Sequence, residues 1–218
     1  MRNGYIDTLV YKLEDISGLK RAANYLENNE IVVISSPTVY LLLGNANDPN
    51  VVEKIETLKG RKEHKPLGYL VSRNQAYDMG QFTEESLFFL LQWPSPLSMI
   101  VPKSDMAFDP NNLDTILLSC PSWYCSELAR MVKFPIVWSS ANPAGGLVAA
   151  SMNQAAGYFI DKVPMILGER VSIYKDQGTV VDFSVNPPRL LNDCGGYPIK
   201  EIKKVVNNLQ IPDHLQYH

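Results

Sequence analysis

Long apolar runs are missing from this sequence. Arg2, Asp7 and Lys12 interrupt the apolar stretches near Met1, so neither the core of a signal peptide nor the roughly 20 apolar residues of a membrane span is expected. Cysteine is scarce as well. Cys120, Cys125 and Cys194 form no CxxC pair and have no histidine at ligand spacing, which argues against a zinc site or a disulfide framework and reads as reduced core or loop thiols. Excess basic charge is also absent. A net charge of -3 and a pI near 5.6 argue against a protein built around the phosphate backbone of nucleic acid. Lys20, Arg21, Lys54, Lys59, Arg61, Lys62 and Lys65 could gather into a local patch, but they read more simply as solvated surface. Repeats, low-complexity tracts and linkers are not found. With 45% apolar and 20% charged residues in 218, the expectation is a single domain over 1–218 in the cytoplasm, with no membrane partner.

What is there alternates between two periodicities. From Gly18 to Asn29, Leu19, Ala22, Ala23 and Leu26 recur at helical spacing, and Ile31–Ile34 follows as a β-branched strand. Asp48, Pro49 and Gly60 bracket a second helix with Val51, Val52, Ile55 and Leu58 on one face. A strand is expected at Leu67–Val71, a helix near Glu84–Gln92, and strands near Leu97–Val101 and Thr115–Ser119. Then come a helix near Ser122–Val132, a strand at Ile136–Ser139, a helix capped by Ser151 that runs to Phe159, and a strand from Gly178 to Phe183. Ile199, Ile202, Val206 and Leu209 line a last helix. Such alternation predicts a layered α/β domain with a largely parallel or mixed sheet. Residues 1–17 read as an N-terminal extension and 211–218 as a loose tail.

Four polar segments fall at element ends, where an α/β sheet places its ligand crevice. Ser35-Ser36-Pro37-Thr38-Val39-Tyr40 carries hydroxyls in a turn. Lys59-Gly60-Arg61, with Lys62, His64 and Lys65 behind it, places two cations two residues apart, where an extended loop projects them to one side. Ser139-Ser140-Ala141-Asn142-Pro143, followed by Gly145-Gly146, puts Ser140 and Asn142 on one side, with glycines that let backbone amides approach a ligand. Gly178-Thr179-Val180-Val181-Asp182 opens a strand with a hydroxyl. Taken singly, each is an ordinary turn, basic loop or strand start.

In sequence order they resemble the YrdC-type threonylcarbamoyladenylate synthases, from about Gly18 to Val206. Val39-Tyr40, Lys59, Arg61, Lys65-Pro66-Leu67, Pro94, Pro96-Leu97, Pro121, Ser140-Ala141-Asn142, Thr179-Val180-Val181-Asp182 and Gly195 carry the likeness. The resemblance implies a twisted α/β sheet with a concave central cavity. It also implies an enzyme that joins L-threonine, bicarbonate and ATP, with magnesium, into threonylcarbamoyladenylate and pyrophosphate for tRNA modification. Carried over by motif, Lys59 and Arg61 would hold the ATP phosphates, and Ser140 and Asn142 would contact the nucleotide. Thr38 and Thr179 would face the amino acid or carbamate, and Tyr40 would line the same pocket. No nucleophilic side chain is required: fixed cations and magnesium stabilise charge on the α-phosphate and the leaving pyrophosphate.

Several pocket positions depart from the family pattern. Leu41 stands where a glycine is usual, and Ser119 and Asn192 stand where the family carries arginines. Gly178 replaces a serine. Losing two charge-assisted hydrogen bonds removes about 3 to 6 kcal/mol of ligand binding, a factor of roughly 10² to 10⁴. Arg170 and Arg189 are the cations near enough in sequence to replace them. The alternative expectation is therefore a non-catalytic paralogue that binds a nucleotide or structured RNA.

Overall fold

The computed structural model describes residues 7–13, 16–61, 65–107, 113–168, 171–193 and 195–215. In chain order the elements are β1 (Leu9–Lys12), α1 (Ile16–Glu27), β2 (Val32–Ser35), β3 (Tyr40–Asn45), α2 (Pro49–Lys59) and β4 (Gly68–Leu70). Next come α3 (Arg73–Met79), α4 (Glu84–Leu91), β5 (Ser95–Pro102), β6 (Thr115–Cys120), α5 (Trp123–Met131) and β7 (Ile136–Ser140). The last are α6 (Met152–Phe159), β8 (Met165–Gly168), β9 (Thr179–Asp182), β10 (Arg189–Asn192) and α7 (Ile199–Val205).

All ten strands join one sheet in the order β1-β8-β2-β3-β7-β4-β6-β5-β9-β10. The sheet is mixed. β2 and β3 form an antiparallel hairpin around Ser36–Val39, whereas β2 and β8, β4 and β6, and β5 and β9 pair in parallel. The expected α/β class holds, with a mixed rather than largely parallel sheet.

Side-chain alternation sorts the strands into two faces. Tyr40 and Leu42 of β3, Val137 of β7, Leu118 of β6 and Val181 of β9 enter a core shared with Val51, Ile55, Phe89, Phe159 and Ile202 from the helices. Leu41 and Leu43 of β3, Ile136 of β7 and Leu167 of β8 face the other way, onto Leu19, Leu26 and Leu128 of α1 and α5. Those two helices cover only part of this second face. Over β4, β6, β5 and β9 the same face stays open, and that opening becomes the cavity.

Local signals explain the element that matters most for the site. Asp48 accepts a hydrogen bond from the backbone N–H of Asn50, Pro49 starts α2, and Gly60 ends it at φ 65°, a left-handed conformation that favours glycine. This turn folds the chain back, so that the Arg61 N–H donates to the Glu56 carbonyl at 3.2 Å.

Two expectations at the ends need correction. Residues 9–12 of the supposed extension are a strand, paired in parallel with β8. Ile211–Leu215 is not loose: Leu215 is 8% exposed within the core, Ile211 packs against that core, and the Leu215 N–H donates to the Pro212 carbonyl at 2.9 Å. Residues 216–218 lie outside the described residues.

Candidate functional site

Two adjoining cavities occupy the open face of the sheet. One, of about 240 Å³, has Leu41, Trp138, Gly68, Leu117, Ser119, Ser98 and Val180 as its floor. These side chains come from six neighbouring strands, on the sheet face that α1 and α5 cover only in part. The other, of about 280 Å³, lies between Lys59, Arg61, Lys65, Asn142 and Gly145. Arg61 and Ser140 line both. Each alone is smaller than the ~300–1,000 Å³ typical of small-molecule sites; joined across those two residues they reach that size.

The two couples expected to meet do meet. Lys59 Nζ donates to the Ser140 carbonyl at 2.5 Å, to the Asn142 carbonyl at 3.0 Å and to Asn142 Oδ1 at 3.0 Å, with Ser140 Oγ at 3.4 Å. Ser140 Oγ donates to Asn142 Oδ1 at 2.7 Å, and Asn142 Nδ2 donates to the carbonyls of Pro143 and Gly146. The Ala144 N–H closes back onto the Lys59 carbonyl at 2.6 Å. Residues 140–146 are thus tied to the end of α2 through one ammonium. Lys59 is 3% exposed, and its three protons are committed to protein oxygens. It organises the loop more than it offers itself to a ligand.

Arg61 is the less buried partner, its side chain 16% exposed. Its Nη1 donates to Glu56 Oε1 at 2.8 Å and its Nη2 to Ser139 Oγ at 3.0 Å, which fixes the guanidinium at the cavity junction. Glu56 is 6% exposed, and its Oε2 is buried with no hydrogen-bond partner. Burial lowers the Lys59 pKa to about 8; the Arg61 charge pushes the same way and the Glu56 carboxylate opposes both.

Thr38 lines the first cavity, with its Oγ1 2.8 Å from Ser36 Oγ. Tyr40 and Thr179 do not belong where expected. Tyr40 is fully buried in the core on the opposite face, because one step along a strand reverses a side chain. The strand residues facing the cavity are its neighbours Val39 and Leu41. Thr179 is also buried; its Oγ1 donates to the Tyr197 carbonyl at 3.1 Å and accepts from the Tyr197 N–H at 3.0 Å. That hydroxyl pins the chain after β10, and Gly178 and Val180 form the wall in its place.

The departed positions sit at the cavity. Ser119 Oγ lies 2.6 Å from Ser98 Oγ, a neutral pair on the floor. Asn192 Nδ2 donates to the Gly178 carbonyl at 2.8 Å and so braces that wall from behind. A side chain on Gly178 would meet the Pro96 carbonyl at 3.2 Å. Arg189 is exposed on β10 with its Nε 3.5 Å from Gln210 Oε1, away from the cavity lining. Arg170, Lys62, His64 and Cys194 lie outside the described residues. Of the suggested basic patch, Lys59, Arg61 and Lys65 line one cavity, whereas Lys54 pairs with Glu30 at 3.0 Å and Arg21 stacks over Tyr11.

Sequence reasoning missed Glu56, Ser98 and Trp138 as site residues and named Ser139 only as the start of its polar segment. Ser98 and Trp138 could have been found by strand alternation. Glu56 gave no signal, since its meeting with Arg61 depends on the turn at Gly60.

The family model Sua5_yciO_yrdC, described as Telomere recombination, matches residues 24–193. A threonylcarbamoyl-AMP synthase of Pyrococcus abyssi is 30% identical over 199 residues, covering 88% of this chain and 58% of that protein. One of Bacillus subtilis is 26% identical over 200 residues, with the same coverage. The chain therefore spans about three-fifths of these curated relatives. The crystal structure of P. abyssi Sua5 complexed with L-threonine superposes with a TM-score of 0.83 at 28% identity, over 94% of this chain and 62% of that one. E. coli YciO shares the fold at 13% identity and a TM-score of 0.75. With the family model matched over residues 24–193, most of its length, the chain belongs to the Sua5/YciO/YrdC family.

Proposed function

We propose that this chain forms threonylcarbamoyl-AMP from L-threonine, bicarbonate and ATP. The observation that carries the reading is the convergence of Lys59 and Arg61 on residues 139–142, at the junction of two cavities. The relatives named threonylcarbamoyl-AMP synthase and the L-threonine complex of P. abyssi Sua5 support the substrate class. In this reading the threonine amine adds to bicarbonate with loss of water, giving a carbamate. A carbamate oxygen then attacks the α-phosphorus, the bond to the bridging α–β oxygen breaks, and pyrophosphate leaves.

The residues divide this work by position. Arg61 and Lys65 present cations to the phosphates, while Lys59 keeps residues 140–146 in the shape that receives the nucleotide. The apolar floor of Leu41, Leu117 and Trp138 limits water near the carbamate. Thr38 and the Ser98–Ser119 pair offer hydroxyls to the amino acid or carbamate. Among the described residues no group of three or more His, Cys, Asp or Glu could hold a metal. Magnesium would be carried in on the triphosphate, where it would offset charge on the phosphates.

A second reading has its own support. Arg61 is the one cation lining the 240 Å³ cavity among the described residues, and the neutral Ser98–Ser119 pair occupies the place of a family arginine. A nucleotide-binding paralogue without turnover would look the same. Pyrophosphate release separates the two. The enzyme reading expects release that needs ATP, magnesium, bicarbonate and threonine together, and that falls about 10²-fold in Arg61→Ala. ATP binding with no pyrophosphate release from threonine or any other common amino acid would overturn it in favour of the paralogue.

A further inference from the structure

A third cavity, of about 180 Å³, opens on the far side of the β5–β6 wall, between the start of α3, the exposed flank of α5 and the Trp93–Pro94 turn. Trp123, Ser126, Glu127 and Arg130 line it from α5. Their spacing of three and four residues places them on one helix face. Arg73 and Asn74 line it from α3, and Cys120 forms part of its lining from β6.

The side chains here are chemically unlike their surroundings. Burial pushes the Cys120 thiol up to about 11, the Ser126 hydrogen bond acts against that shift, and so do the charges of Arg130 and Arg73. Both guanidiniums therefore act on one point of the cavity lining. Arg130 Nη1 pairs with Glu127 Oε1 at 2.7 Å. Arg73 donates to the Trp93 carbonyl and has no carboxylate partner among the described residues. Two cations and one carboxylate leave the cavity one positive charge in excess. Trp123 stands at its rim, 59% exposed, an indole that the fold itself does not cover.

Size then decides what could enter. About 180 Å³ is below the ~300–1,000 Å³ of a site that engulfs a whole ligand, yet ample for a phosphate group. A ligand held here by its phosphate must leave its remainder at the rim, and the rim is an exposed indole. Aromatic rings stack on indole, and paired arginines grip phosphate oxygens. We propose that this cavity is a second anion site that takes a nucleoside monophosphate, with the phosphate between Arg73 and Arg130 and the base against Trp123. It lies outside the Lys59–Arg61 site and does not depend on the activity proposed for it. β6 separates the two: Ser119 lines the first cavity and Cys120 the third.

The test titrates uridine monophosphate by calorimetry into the full chain carrying Arg61→Ala, which removes a cation from the first site and leaves the third cavity untouched. The result expected is one site per chain, weakened about 10- to 100-fold by Arg130→Ala and at least 5-fold by Trp123→Ala, with inorganic phosphate as a competitor. Both side chains are exposed enough that neither change should unfold the protein, and the indole N–H resonance of Trp123 should move on titration. A short RNA with a 5′-phosphate serves as a second arm: tighter binding than the free nucleotide, lost in the same variants, supports the site with an RNA end as its source. Absence of binding at millimolar nucleotide in both arms, or binding that survives both substitutions, overturns the proposal.

Discussion

Glu56 and Arg61 should move the pH dependence of nucleotide binding in opposite directions. Lys59 in the free protein loses its proton as pH rises through about 8. A triphosphate favours the protonated form, so affinity is full below that pH and falls above it, by up to tenfold per pH unit. The Glu56 carboxylate helps Lys59 keep its proton, and the Arg61 guanidinium helps remove it. Glu56→Gln keeps an amide oxygen for Arg61 but deletes the charge, so the fall in affinity should begin at lower pH. Arg61→Met deletes the opposing charge, so the fall should begin at higher pH. A unit charge this close to a buried ammonium is worth about 1.4 kcal/mol, so each displacement should be roughly one pH unit. Arg61→Met should also lose about 10- to 100-fold in affinity at pH 6.5, where Lys59 is protonated in every variant. Calorimetric titration of ATP between pH 6 and 9.5 reads both quantities. Shifts of the same sign, or none, would refute the reading that the Lys59 charge, set by Glu56 and Arg61, is felt at the phosphate site.

Other consequences are direct. A methyl group on Gly68 would lie 2.4 to 2.7 Å from three indole atoms of Trp138. Gly68→Ala should cost about 1–3 kcal/mol, roughly 2–4 °C in Tm per kcal/mol, and should shift tryptophan emission as the indole leaves the cavity floor. Leu215→Ala should cost about 2 kcal/mol in denaturant unfolding, because Leu215 is packed; an unchanged midpoint would restore the loose tail. Cys120 and Cys125 are buried, with pKa values pushed up to about 11 and about 12, so peptide mapping should find both unmodified by a thiol reagent at pH 8 until the protein is denatured.

The sequence carried most of the elements and hid β1, β3, α3, β8 and β10. α2 was legible from both ends because Asp48, Pro49 and Gly60 each have a local physical meaning that the structure reproduces. β3 was not: Leu41-Leu42-Leu43 follows a Ser-Pro turn with no alternation of polarity, since both of its faces are buried. The four-residue strands β1, β8 and β10 are held by their sheet neighbours and are too short for residues such as Val10, Tyr11 and Ile166 to mark them in the sequence. At the site, Lys59 with Ser140 and Asn142 was readable as a constellation. Tyr40 and Thr179 were misplaced because a motif names residues without saying which face of the strand they take. The role of Glu56 follows from a left-handed turn at Gly60, a feature of the folded chain that residue spacing alone does not express.

In the proposed reaction Arg61, with the loop that Lys59 holds in place, forms the triphosphate site. A crystal structure of the chain with a non-hydrolysable ATP analogue and L-threonine should show phosphate oxygens within hydrogen-bond distance of Arg61 and of residues 140–146, with threonine over the Leu117–Trp138 floor. A nucleotide bound elsewhere, with the Lys59–Asn142 clamp untouched and both cavities empty, would contradict it.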